Sequence, residues 1–381
     1  MSAASSDHQV PEYRRYSFRL YANKHQDKML KEMLETHRHL YNSALDGSDL
    51  CWTTSQTRWT FAEQCRWLTR VRGKSEWLSR INVTSGQKTL RRLDRAFSKF
   101  FAGGGYPKFK RKGRFTSFSF DTGSKGGGCK LIGNRLRVQH IGEIKIKMHR
   151  EIPSEAISKE CSIVHKGGKW YACFCLEMKS KVKHDTARPH VGIDLGIKHF
   201  IATSDGEVAG DSRILEREIA GLRRLQRSLS RCKKGSNAWK ARSRKLSILY
   251  LCMSRKRSDM QHKLSRSIAE KYSVISVENL QIKNMLQNSR ISRRIAGAGW
   301  YGFVEKLRYK ARELGSLFIL VDPAYTTQTC SRCGHVKKKS LSDRTHNCTL
   351  CGLVMDRDTN AAKNILAGAQ PWVAKLRNTG V

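Results

Sequence analysis

The chain is short of acid and has no long apolar run, and each shortage closes off a class of function. Only 32 Asp and Glu stand against 73 Lys and Arg in 381 residues, a formal charge of +41 and a pI near 10.2. Charge of one sign on this scale repels itself, so the composition calls for a polyanionic partner, nucleic acid first and an anionic membrane surface a distant second. No run of 18 or more apolar residues occurs, so nothing is expected to span a bilayer and no membrane partner is expected. The opening MSAASSDHQVPEYRR lacks the apolar core of a secretory signal and reads as a short polar tail over residues 1–12. A disulfide framework is lacking too. Of 12 cysteines, eight are scattered singly or in the "CFC" of a strand and read as reduced thiols of a cytosolic protein.

What is present begins with a β-like segment, YSFRLY, followed by helices. Asn23 with Gln26, Thr60 with Glu63 and Thr84 with Gln87 each read as a capping box. The first precedes Met29, Leu30, Met33, Leu34, Leu40 and Tyr41; the last precedes Leu90, Leu93, Phe97, Phe100 and Phe101, both at helical spacing. GGGYPKFKRKGRFTSFSF (103–120) then breaks the helices. Tyr106, Lys108, Phe109, Lys110, Arg111, Lys112 and Arg114 are candidate nucleic-acid contacts. The bases would neutralise phosphates, and Tyr106, Phe109 and Phe115 could stack on unpaired bases. A basic loop leading into a strand with Phe118 and Phe120 in the core is the competing reading.

From 130 to 178 the period changes to two, with hairpin turns at Gly133-Asn134 and Gly167-Gly168. The expectation is a small β-barrel interrupted by helices, a polar linker over 181–189, and a new domain from about residue 189. HVGIDLGIKHFIATSDGE reads as a buried strand carrying Asp194, a tight turn and a second strand, with Gly192 and Gly196 allowing a backbone or a ligand close. A lone Asp in such a strand costs several kcal/mol unless it is paired or bound to metal.

YSVISVENL repeats the pattern with Glu278 at its end. GWYGFVEKLRYKAREL and LFILVD then complete a strand–helix–strand parallel crossover, in which a site gathers at the carboxyl ends of the strands. The third acid is Asp358 in DRDTNAAKNIL. Asp356 or Asp358 could cap the helix there; the functional reading puts Asp358 in a metal cluster with Asn360 hydrogen-bonding the site. Three converging carboxylates repel unless cations intervene, and oxygen donors select Mg²⁺ or Mn²⁺. Two such ions about 3.5–4 Å apart serve in-line phosphodiester displacement.

Cys330 and Cys333 in CSRCG, and Cys348 and Cys351 in CTLCG, flank 14 intervening residues. Two CxxCG knuckles at that interval read as a four-thiolate site for one structural Zn²⁺. A thioredoxin-like redox pair would explain only one CxxC, and His335 or His346 could substitute as ligands. Zinc would fold an excursion too polar to bury its own core and return both of its ends to the carboxylate sheet. The hydroxyl-rich TTQT and the basic KKK within it could brush a nucleic-acid strand or be solvated surface.

GIDLGIKHFIATSDG, SVENL, CSRCG…CTLCG and DRDTNAAKNIL resemble the split RuvC nuclease domain and zinc ribbon of the TnpB family, transposon-encoded RNA-guided DNA endonucleases. RLYANKHQDKMLKEMLETHRHLYNSAL and DRAFSKFFAGGGYPKFKRKG resemble that family's amino-terminal half, so the likeness covers nearly the full chain. It implies mixed α/β and β multidomain architecture: a wedge β-barrel (13–22 and 115–180) with an inserted helical recognition domain (23–114), then an RNase H-like RuvC domain (190–329 and 353–368). A zinc ribbon (330–352) and a tail (369–381) complete it. The implied catalytic acids are Asp194, Glu278 and Asp358. The implied partners are a guide RNA, one protein chain per RNA, and double-stranded target DNA carrying a short adjacent motif, in the cytoplasm or nucleoid of a prokaryotic-type cell.

The charge suits a channel that grips a heteroduplex by its backbone. Residues 211–270 hold 17 Lys and Arg against 5 acids. Leu215, Ile219, Leu222, Leu225 and Leu229 give this stretch an apolar face, so a basic helical hairpin along the duplex is expected. The competing identities are a miniature type V CRISPR effector, a guided repressor that binds without cutting, and a DNA-strand transposase.

Overall fold

The computed structural model describes residues 12–123, 127–178, 187–197, 199–211, 216–288, 292–339 and 343–379. It divides into two compact units, Met1–Ser180 and Lys181–Val381. The expected tail (except Glu12), most of the expected linker, and Leu215 of the expected hairpin lie outside the described residues.

In the first unit β1 (Glu12–Tyr21) leads into α1 (Lys24–Ser55). Asn23 Oδ1 accepts the Gln26 N–H at 2.8 Å, and Gln26 Oε1 accepts the Asn23 N–H at 3.2 Å, closing the first capping box. The Thr60–Glu63 box heads α2 (Phe61–Arg72), which is followed by the single turn α3 (Glu76–Ser79). The third expected box does not form. Asn82 caps α4 (Val83–Phe101) instead, its side chain accepting from the Thr84 and Ser85 amides. An Asn placed two residues ahead reaches those amides first, and the Thr84 hydroxyl is itself turned onto Asn82 Oδ1. Leu90 and Leu93 are fully buried, but Phe101 is 64% exposed, so the apolar face of α4 outruns the core.

The strands that follow are β2 (Ser117–Asp121), β3 (Cys129–Ile132), β4 (Arg135–Val138), β5 (Gly142–Lys147), β6 (Ile157–Lys166) and β7 (Lys169–Met178). With β1 they make one seven-stranded sheet in the order β2-β6-β7-β1-β5-β4-β3, antiparallel throughout. Trp170, Ala172, Phe174 and Leu176 point inward at alternate positions, as period two requires. The sheet is nearly closed into a barrel. A Cβ built on Gly128, just before β3, would stand 3.0 Å from Phe120 on β2, and the Cys161 thiol of β6 meets Cys129 of β3. Phe118 and Phe120 lie in the core, as expected.

The second unit opens with β8 (His190–Leu195), β9 (His199–Thr203) and β10 (Val208–Asp211), an antiparallel meander. Two long helices follow, α5 (Glu216–Ser230) and α6 (Asn237–Lys271). Gln226 bonds Tyr250 and Glu218 pairs with Lys256, so the two run antiparallel as a hairpin, with Ile219, Leu222, Leu225 and Leu229 half-buried. Next come β11 (Val274–Glu278), α7 (Ile282–Met285), α8 (Ser292–Ala298), α9 (Trp300–Glu313) and β12 (Leu317–Val321). The chain ends with the short pair β13 (Thr345–Asn347) and β14 (Val354–Asp356) and the helix α10 (Arg357–Thr379).

The five-stranded sheet runs β10-β9-β8-β11-β12, with β11 parallel to both β8 and β12. One of its faces, with Val191, Ile193, Ile275 and Val277, packs against Ile268 of α6 and Phe303 and Leu307 of α9. Val274 and Ile319 turn the other way and meet Ala369 and Val373 of α10. Helix α10 runs on through the expected tail to Thr379, and its Ala369 and Val373 cover this face of the sheet. No described helix is long and apolar enough to cross a membrane.

Candidate active site and cysteine cage

Alternation along β8 puts Gly192 and Asp194 on the α10 face of the sheet. The parallel register pairs Ser276 with Gly192 and Val277 with Ile193, so the next step sets Glu278 beside Asp194 at the carboxyl ends of adjacent strands. Gly192 lets α10 come in. A Cβ there would lie 2.0 Å from Ala362 O and 2.7 Å from Leu366 N, so the helix backbone rests directly on the strand. That contact sets the opening turn of α10, with Asp358, over the same edge.

Asp194, Glu278 and Asp358 are all buried. The Asp194 carboxyl is pushed well above its ordinary range by burial first, then by the charges of Glu278 and Asp358, while Arg357 pulls it down. Asp194 thus feels both of the other acids although they lie 84 and 164 positions further along the chain. Glu278 is also pushed up by burial, against a hydrogen bond donated by Thr326 Oγ1 to its Oε1. Arg357 donates from Nε (3.1 Å) and from a terminal nitrogen (3.0 Å) to Asp358 Oδ1. Asp358 Oδ2 faces Gly196, where a Cβ would stand 3.9 Å away. A buried, all-oxygen donor set crowded with like charge fits hard divalent cations.

Capping falls to Asp356, whose Oδ1 accepts the amides of Asp358 (2.8 Å) and Thr359 (3.1 Å), which frees Asp358 from that task. Asn360 does not hydrogen-bond the carboxylates. It is fully buried and instead donates to Thr329 O at 2.8 Å and accepts from Ser331 N at 3.0 Å, at the base of the first cysteine knuckle. One turn on, Asn364 donates to Thr326 O (2.8 Å) and Thr329 O (2.7 Å). Thr326, Arg357 and Asn364 escape a reading of motifs. Their sequence signals are the basic residue inside DRD, two Asn four apart on one helical face, and the TTQT expected at a nucleic-acid strand or in solvent, whose Thr326 is instead buried on Glu278.

Among the described residues, one group of side chains is packed tightly enough to cage an ion as it stands. The ligating atoms of Cys330, Cys333, Cys348 and Cys351 all lie within 4.8 Å of one another. Both knuckles fold alike: Gly334 N–H bonds Cys330 O (2.9 Å) and Gly352 N–H bonds Cys348 O (3.0 Å). Each glycine takes a positive φ, 75° and 70°, which explains the G of CxxCG. The amide of Cys351 lowers the Cys348 thiol to about 6, while Cys333, against the amide of His335, is pushed up to about 12 by burial and the three thiols beside it. The donor set fits Zn²⁺. His335 and His346 are not in the quartet; His346 is buried and its Nδ1 meets Lys339.

In the first unit, Lys108, Phe109, Arg111, Lys112 and Arg114 are exposed. Lys110 anchors the loop to α1: its amide donates to Asn42 Oδ1 at 2.8 Å, and its carbonyl accepts from Arg38 and Asn42. The Tyr106 hydroxyl is bonded to Asp49, and its ring packs edge-on against Phe97 and Phe100 while 46% exposed. Phe115 cannot stack on a base. It is 3% exposed, packed beside Tyr41 in the core, because it belongs to the approach to β2 and not to the loop.

Three family models match the chain: "Probable transposase" over 173–289, "Cas12f1-like, TNB domain" over 300–365 and "Helix-turn-helix domain" over 13–49. The last stretch folds here as a strand and one uninterrupted helix. A Streptomyces pristinaespiralis protein named "Putative RNA-guided DNA endonuclease" is 30% identical over 93% of this chain and 89% of its own length. An Escherichia coli (strain K12) protein named "Putative RNA-guided DNA endonuclease InsQ" is 27% identical over 94% and 93%. Among solved structures, the fold resembles a chain of the "Cas12f1-sgRNA-target DNA complex", with a TM-score of 0.60 at 12% identity over 93% of this chain and 98% of that one.

Proposed function

This chain belongs to the TnpB family of RNA-guided DNA endonucleases, and on that premise we propose that Asp194, Glu278 and Asp358 are the acids with which it cuts target DNA. One observation carries the assignment: the register that sets Glu278 beside Asp194, with α10 bringing in Asp358 so that Asp194 feels both charges. The mixed order β10-β9-β8-β11-β12 with α10 on one face supports an RNase H-like, RuvC-type nuclease core. On this reading the core comprises 190–329 and 353–368, and the cysteine excursion 330–352 is a zinc ribbon. Residues 13–22 and 115–180 form the wedge barrel, and 23–114 the helical recognition insert.

The three carboxylates would hold Mg²⁺ or Mn²⁺, two ions in a RuvC-type site. Such ions, when bound, supply Lewis acidity that activates water and neutralise charge at the scissile phosphate. The chain's own part is positioning. Burial keeps bulk water from the acids, and Arg357 holds the Asp358 carboxylate by one oxygen while adding positive charge at the edge where a phosphate would arrive. Sequence reading falls to the guide RNA, which pairs with the target while the protein grips phosphates. The α5–α6 hairpin, with its large excess of Lys and Arg over acids, and the 106–114 loop, which has no acid, are suited to that grip.

The test is cleavage by protein purified with its co-expressed RNA, offered a target library in Mg²⁺. Asp194→Ala should abolish cutting and leave guide-dependent binding intact. Undiminished cleavage by that variant would refute the role of these acids. A guided repressor would instead bind the matched target and leave it whole with the wild-type protein. Sequencing the co-purified RNA separates a guide from a transposon end from one of a repeat array, as in a miniature type V effector.

A further inference from the structure

The loop between β12 and the first cysteine knuckle is a strut between the two candidate metal sites. Its buried Thr326 donates to Glu278 Oε1 and to Pro323 O, and with Glu278 ionised the charge-assisted partner takes precedence. The backbone of the same loop is gripped from the other side by α10, through Asn364 on Thr326 O and Thr329 O and through Asn360 on Thr329 O. Asn360 also takes the Ser331 amide inside the Cys330–Cys333 knuckle. The loop is further braced within itself: Tyr325 O accepts the Gln328 and Thr329 amides and the Thr329 hydroxyl, and Asp322 accepts the Ala324 amide. Tyr325 is held at φ 60°, a left-handed conformation costly for an aromatic residue, so the surrounding bonds over-determine this turn. One helix therefore carries Asp358 in its first turn and, through two Asn one turn apart, holds the loop whose threonine holds Glu278.

Resting on the nuclease assignment above, we propose that Thr326 is a positioning residue that fixes Glu278 for cation binding, and that Asn360 and Asn364 transmit the order of the cysteine cage to it. A threonine at a solvated surface would have no such partner. Thr326 acts by restricting where the Glu278 oxygens can go, so its removal should weaken the cation's hold and not the grip on DNA.

The test uses the full RNA–protein complex with Thr326→Val, which keeps the shape and removes the hydroxyl, and Thr326→Ser, which restores it. Cleavage by the valine variant should fall roughly ten- to a hundredfold, about 1.4–2.7 kcal/mol at 1.36 kcal/mol per decade. The Mg²⁺ concentration for half-maximal rate should rise, while target affinity and about one zinc per chain persist. The serine variant should recover most of the rate. If Thr326→Val does not accumulate, Thr326→Ala carries the same expectation. A valine variant with wild-type rate and Mg²⁺ requirement, or a serine variant as slow as valine, overturns the proposal. Asp194→Ala run beside them separates the two failures, because undiminished cleavage there overturns the nuclease assignment itself.

Discussion

Replacing Gly192 by alanine adds one methyl group at the contact that seats α10. That methyl would stand 2.0 Å from Ala362 O and 2.7 Å from Leu366 N, where ordinary contact begins near 3.4 Å. Both neighbours are backbone of a helix, so no side chain can rotate away. The helix must lift by roughly 1.4 Å, and such overpacking costs typically about 1–3 kcal/mol. The lift also moves Asp358, which rides in the first turn of α10, and a misplacement of about 1 Å in a catalytic constellation can cost a hundredfold in rate. Gly192→Ala should therefore lower the urea midpoint and cut Mg²⁺-dependent cleavage by about two orders of magnitude, with target binding retained. Gly221→Ala on α5 is the control: nothing lies within 4 Å of its added methyl, and helix propensity favours alanine by up to about 1 kcal/mol. If Gly192→Ala matches the wild type in midpoint and in rate, the claim that this glycine seats the helix bearing Asp358 is wrong.

Two further outcomes follow from the sites. Because the folded Asp194 carboxyl titrates above its unfolded value, its contribution to stability is full below the unfolded value and is lost as pH rises through the raised one. In EDTA, Asp194→Asn should thus unfold at higher temperature than the wild type at pH 7, and the gap should close towards pH 4; a gap that is absent, or that widens on acidification, contradicts the buried cluster. For the cysteine quartet, the wild type should carry about one zinc per chain by metal analysis and Cys330→Ser should lose it. A zinc-free wild type rejects the cage.

Much of the local structure was legible because it is enforced within a few residues. Asn23 and Thr60 cap because an amide three positions on lies within reach of their side chains. Thr84 failed as a cap because a better acceptor stood two residues earlier. The knuckles were legible because CxxCG encodes its own turn, with glycine where φ must be positive. Phe115 was misjudged because a basic aromatic stretch looks alike whether a ring faces solvent or the core; only its contact with Tyr41 decides.

The candidate site divides along the same line. One acid at the end of each apolar strand, and one at the head of an Ala-rich helix, can be read in a single dimension, since burial of a carboxylate in such company demands a reason. The partners of those acids cannot. Thr326 meets Glu278 across 48 residues, and Asn364 meets Thr326 across 38. Asn360, assigned from its spacing to the carboxylates, serves the cysteine knuckle instead. Spacing along the chain determines which residues a turn, a cap or a strand end brings together, and the sequence alone established those. Which side chain meets which across elements depends on how closely α10 settles on the sheet, a matter of one missing methyl at Gly192, and only the packed structure decides it.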